Sequence, residues 1–168
     1  MRRLTVVAVV ATLLTGIPAV SHAQLKVSVA GGASPGLATE FPTNFGYHLQ
    51  AGLELSFPAL PIGVKVDGNW HRLALDGLDG TYQIFTGTVS AVFPLHSFGA
   101  TTPYVIAGPG FYQLRMEPRF ALDATKTSIG FNGGLGIRTV RNLFAEARVH
   151  TTVDFETVIT PVTVGIRF

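Results

Sequence analysis

Val162-Thr163-Val164-Gly165-Ile166-Arg167-Phe168 decides how this chain is read. Strand side chains alternate with period two. Val162, Val164, Ile166 and Phe168 therefore share one face, and Thr163, Gly165 and Arg167 share the other. A final aromatic on such a strand is out of place at the fraying end of a soluble domain. It fits a strand that closes a membrane barrel with its apolar face toward lipid. The expected fold is all-β: an eight-stranded antiparallel up-and-down transmembrane β-barrel.

The other end of the chain agrees. Arg2 and Arg3 form a positive start, Leu4 to Leu14 an apolar run, and Ser21-His22-Ala23 a small-residue cleavage site. Eleven apolar residues are too few for a spanning helix, which needs about 20, so residues 1–23 are read as a cleaved signal peptide. Cleavage would leave 145 of the 168 residues, 24–168, as one barrel domain, with Lys+Arg reduced from 12 to ten against ten Asp+Glu. That balance, without a run of like charge, gives no footprint for nucleic acid. The absence of cysteine excludes a disulfide scaffold and thiol chemistry. No cofactor or metal is implied.

Working outward from the last strand, the same alternation recurs seven more times. Leu25, Val27 and Val29 face one way in the first strand, and Phe45, Tyr47, Leu49, Ala51, Leu53, Leu55 and Phe57 in the second. Pro58-Ala-Leu-Pro61 predicts a four-residue turn, which sets Glu54 opposite Lys65 and predicts an ion pair between them. In the third strand Ile62, Val64, Val66, Gly68 and Trp70 oppose Gly63, Lys65, Asp67, Asn69 and His71. The fourth, Tyr82 to Phe93, turns Phe85, Val89, Ala91 and Phe93 outward. In the fifth, Pro103 to Arg115, both faces are apolar; Tyr104, Ile106, Tyr112 and Leu114 are assigned outward, with Val105, Ala107 and Phe111 inward. Pro109 lacks a ladder donor and predicts a bulge there. The sixth points Ile129, Phe131, Gly133, Leu135 and Ile137 outward, and the seventh sets Ala145, Ala147 and Val149 against Glu146, Arg148 and His150.

Alternation is common to soluble and membrane barrels; the side that is apolar separates them. On these assignments no apolar face carries Asp, Glu, Lys or Arg, and a cation at a bilayer midplane costs about 2–4 kcal/mol. Phe45, Tyr47, Phe57, Trp70, Phe93, Tyr104, Tyr112, Phe144 and Phe168 stand near strand ends as interfacial girdles. The membrane reading follows.

Pro103-Tyr-Val-Ile-Ala-Gly-Pro-Gly, Gly130-Phe-Asn-Gly-Gly-Leu-Gly-Ile and Phe144-Ala-Glu-Ala-Arg, with the signal peptide and the closing strand, resemble the small eight-stranded outer-membrane barrel family of the OmpA/OmpX-like type. The resemblance implies a bacterial outer-membrane location with both termini periplasmic and a monomer surrounded by outer-membrane lipid and lipopolysaccharide. It also implies recognition by the barrel assembly machinery through Val162, Val164, Ile166 and Phe168.

Three functions stay open. Lys26, Glu54, Lys65, Asp67, Arg138, Glu146, Arg148 and Arg167 point inward and form a charge network that either plugs the barrel, as befits a structural, non-enzymatic envelope protein, or lines a narrow path for small solutes. Tyr82, Ile84, Val92, Val105 and Phe111 outline an apolar interior pocket for a hydrophobic ligand. His150-Thr151-Thr152 with Glu156 resembles the His/Ser/Glu set of outer-membrane lipid A deacylases, with Thr where Ser is expected. His48 and His71 are read as members of the polar network, and Asp76 and Asp79 as solvated loop charges.

Overall fold

The alternation seen in the sequence becomes a closed wall. The computed structural model describes residues 24–38, 43–57, 60–75, 80–118, 124–154 and 158–168. They form β1 (Gln24–Ser34), β2 (Gly36–Ala38), β3 (Thr43–Ser56), β4 (Gly63–Leu75) and β5 (Gly80–Pro94), then β6 (Thr101–Pro118), β7 (Ala124–Thr139), β8 (Leu143–Thr152), β9 (Val158–Ile159) and β10 (Val162–Arg167). Residues 1–23, Asp76, Asp79 and Glu156 lie outside the described residues.

Each strand pairs antiparallel with its neighbour, and β10 pairs with both β8 and β1, so the sheet closes on itself as an eight-strand barrel. The first and last staves are each split, into β1 and β2 and into β9 and β10. At the splits Thr160 N–H donates to the Pro35 carbonyl at 3.0 Å and Arg148 N–H to the Pro161 carbonyl at 3.1 Å, which keeps the wall bonded where proline interrupts it. Short turns lie at the end that holds Gln24 and Phe168. Asn142 closes one of them with φ 63°, a left-handed conformation that Asn tolerates.

The predicted register of the first hairpin holds: Glu54 lies opposite Lys65, and Ser56 opposite Gly63. Outward faces match on every strand except β6. There Tyr104, Ile106, Tyr112 and Leu114 are buried in the lumen, while Phe111 is 53% exposed on the outer wall and Val105 is half-buried on the same side. Phe144 also points inward, so Tyr104, Tyr112 and Phe144 belong to the core and not to the girdles. The bulge expected at Pro109 is absent as well, because Thr88 pairs with Gly110 and Ala91 with Ala107, one register on both sides of the proline.

Small residues explain why the rings turn inward. A Cβ on Gly136 would lie 2.3 Å from the Tyr104 ring, and one on Gly165 would lie 2.7 Å from the Phe144 ring. In each case the aromatic covers the glycine directly across from it. A lumen this narrow is filled by setting large against small.

Candidate functional site: the barrel lumen

The lumen is built from alternate residues of all the long strands, and it is layered along the barrel axis. Near the turn end lies Glu54, whose carboxylate accepts from Arg138 Nη1 at 3.1 Å and from Arg167 Nη1 at 3.5 Å. Beside this pair a cavity of about 270 Å³ opens among Gln24, Ser56, Leu60, Gly63 and Pro94. Lys26 is paired with Glu54 in register and is half-buried.

The next layer is a closed quartet from β4 and β8. Lys65 Nζ donates to Glu146 Oε1 at 2.7 Å, and Arg148 donates to Glu146 through Nε at 2.8 Å and also through Nη2. Arg148 Nη1 reaches both Asp67 oxygens, at 3.1 and 3.2 Å. Tyr104 donates its hydroxyl to Glu146 at 2.6 Å, and Thr88 and Gln50 donate to Asp67. All four charged side chains are 2–3% exposed. Two cations meet two carboxylates, so the quartet is neutral and its carboxylates carry further donors, the condition for burying charge at tolerable cost. The ion pair predicted between Glu54 and Lys65 is not formed. The two residues are opposite in register, but Lys65 reaches across the lumen to Glu146 and lies 4.7 Å above the Phe144 ring.

Above the quartet stand three buried histidines. Ser34 Oγ lies 2.7 Å from His71 Nδ1 and 3.2 Å from His48 Nδ1, His48 Nε2 is 2.8 Å from Thr163 Oγ1, and His150 Nδ1 is 3.1 Å from the Tyr112 hydroxyl. Among the described residues no His, Asp or Glu group is arranged to hold a metal. The loop end is closed by Leu73, Tyr82, Ile84, Tyr112, Leu114 and Ile159, each 0–3% exposed. Val92 packs in a separate cluster with Tyr104 and Ile106.

Tyr82, Ile84 and Val92 are therefore inward as expected, whereas Phe111 and Val105 are not, and the apolar interior is packed by residues the sequence reading had turned outward. Of the charge network, Glu54, Lys65, Asp67, Arg138, Glu146, Arg148 and Arg167 meet in ion pairs. Val162, Val164, Ile166 and Phe168 are exposed on the outer wall. Of the hydrolase-like set, His150 and Thr152 are buried on the lumen face, Thr151 is exposed outside, and Glu156 lies outside the described residues.

A closed antiparallel barrel with an apolar exterior and a charge-paired lumen defines the class of small membrane-type β-barrels. The chain has the fold of the small eight-strand outer-membrane barrels. It is similar to Neisserial surface protein A at TM-score 0.72, with 14% identity over 88% of this chain and 98% of that one. A major outer membrane protein of Thermus thermophilus aligns at TM-score 0.56 and 14% identity, over 88% of this chain and all of that one. Ail, the attachment invasion locus protein of Yersinia pestis, in complex with the heparin analogue sucrose octasulfate, aligns at 0.53 with 16% identity, over 86% of this chain and 99% of that one. No family model and no curated protein matches the chain.

Proposed function

We propose that this protein is an integral outer-membrane barrel that serves envelope structure, with a sealed lumen and no catalytic role. It would sit in the membrane as a monomer with both termini on the periplasmic side, inserted by the barrel assembly machinery and surrounded by outer-membrane lipid. The single observation that carries the reading is Arg148. At 2% exposure it bonds Asp67 and Glu146 across the lumen, and Glu146 in turn holds Lys65 and Tyr104. A solute path would have to break that set. The packed apolar layer above it supports the same reading against a ligand pocket.

The outer wall supports the membrane setting. Val66, Val89, Leu53, Phe131, Leu135 and Val164 are all 46–64% exposed, an arrangement that water penalises and lipid does not. Single-channel recording after reconstitution into a planar bilayer tests the proposal. The expected trace is free of conductance steps, and steps of uniform size from the intact protein would overturn it.

A further inference from the structure

Three strands bring their histidines into one layer of the lumen. His48 of β3 and His71 of β4 are opposite in register with ring centroids 5.2 Å apart, and the His150 ring of β8 lies 6.1 Å from that of His71. All three are 0–2% exposed. We propose that this layer is an acid-operated gate: on taking up protons it sets imidazolium charge against Arg148, breaks the quartet and opens the lumen to small anions. The proposal rests on the sealed barrel above and adds the condition under which the seal yields.

The hydrogen bonds around the rings suit neutral imidazole. An imidazolium donates from both nitrogens and needs an acceptor at each. His71 Nε2 is buried and has no hydrogen-bond partner among the described residues, so a charged His71 would leave one donor unmet. Its Nδ1 shares the single Ser34 hydroxyl with His48 Nδ1, at 2.7 and 3.2 Å. The third ring, His150, meets the Tyr112 phenol at 3.1 Å.

Among the described residues no carboxylate bonds these rings. Ser34 of β1, Ile84 of β5, Tyr112 of β6, Asn132 of β7, Ile159 of β9 and Thr163 of β10 complete the layer around the wall. Of these only Tyr112 titrates, and a phenol stays uncharged in acid, as does Tyr82 in the apolar layer above. Toward the turns, Gln50 and Asn69 stand in register between the His48–His71 pair and Asp67. Asp67 and Glu146 are both already bound by Arg148. Toward the loops, Lys126 and Asp154 are exposed. The charge that faces the histidines most directly is therefore Arg148, one inward position below His150 on β8 and about 7 Å away along the strand. Like charges that close, in a layer shut from water, repel far more than they would at a surface.

Proton linkage gives the sign. Rings that exclude a proton in the closed lumen accept one once water reaches them, where imidazole titrates at about 6.5. The open state then binds more protons, so the closed state loses ground as pH falls below that value, by up to about tenfold per pH unit for each ring. The opened path is positive. Lys26, Lys65, Arg138, Arg148 and Arg167 line it against Glu54, Asp67 and Glu146, and imidazolium adds to the surplus. Rings of cationic side chains select anions.

The full barrel is reconstituted into a planar bilayer in potassium chloride and recorded in steps from neutral pH down to about pH 4. Silence at neutral pH and reversible steps of uniform size in acid are expected. Open probability should rise by more than about tenfold per pH unit, with a reversal potential of the sign for chloride. The His71→Asn/His150→Asn protein should open about one pH unit lower or not at all, since two of the three proton acceptors are gone. The unaltered barrel carrying isotope-labelled histidine supplies a reading that needs no variant. By NMR its lumen imidazoles should become protonated over the pH interval in which conductance appears, with the exposed His96 as reference. Silence through the whole pH range, an onset unmoved by the double substitution, potassium selectivity, or neutral imidazoles in the conducting barrel each overturns the gate and leaves the sealed reading standing. Steps at neutral pH overturn the sealed reading and the gate with it.

Discussion

In the layer above Glu54 the quartet of Lys65, Asp67, Glu146 and Arg148 closes the lumen with charge, whereas at the loop end Leu73, Tyr82, Ile84, Tyr112, Leu114 and Ile159 close it with apolar side chains. The two layers are equally dry, at 2–3% and 0–3% exposure. They differ in how they fail. In the apolar layer each side chain contributes its own burial, and a truncation costs the transfer energy of the lost atoms plus a cavity. In the charged layer, removal of one member strands its partners as buried ions.

The largest expected effect is therefore Glu146→Ala. It leaves Lys65 and part of Arg148 without a carboxylate and Tyr104 without its acceptor, and should cost about 3–5 kcal/mol in a urea titration of the barrel in vesicles. A loss as small as that of an exposed pair would mean that water reaches the quartet, and the contrast between the layers would collapse. Leu73→Ala, in the apolar layer, should cost about 3 kcal/mol in the same titration. It should also leave the reconstituted barrel silent in conductance, because the quartet below remains shut.

Val66→Arg tests the wall that encloses both layers. Val66 is 46% exposed and points outward, so a cation there should cost about 2–3 kcal/mol in lipid; no cost in refolding yield or urea midpoint would place that face in water. Smallest is Glu54→Ala. The side chains of Glu54 and Arg138 are 7% and 19% exposed and border the open cavity, so water can replace the lost carboxylate. The expected loss is about 1–2 kcal/mol, and a loss equal to that of Glu146→Ala would show that the turn end is as dry as the quartet.

Strand positions were legible because period-two alternation is a local property of the chain. On β3 and β10, on β4 from Gly63 to His71 and on β7 from Ser128 to Arg138, polar and apolar residues separate cleanly, so the sequence assigned inside and outside correctly. On β6 it did not. Val105 and Phe111 are as apolar as Ile106 and Leu114, and what decides between the two faces is the reach of two hydroxyls, Tyr104 to Glu146 and Tyr112 to His150. Tyrosine satisfies both a packed interior and an aromatic belt, so its presence alone does not choose a face. Phe144 was misread against its own strand, since alternation already puts it on the face of Glu146, Arg148 and His150; the pairing of β8 with β10 adds that its ring covers Gly165.

The sequence by itself determined the strands, the first hairpin's register and which charges face inward, because each depends on residues close together in the chain. Only the closed barrel decided which charges meet. Glu54 and Lys65 were set opposite by their turn, but Lys65 bonds Glu146, 81 residues away, while Glu54 takes Arg138 and Arg167 at separations of 84 and 113. Partners across a lumen are fixed by the stagger at which eight strands close. That stagger is a property of the whole sheet, and local alternation does not encode it.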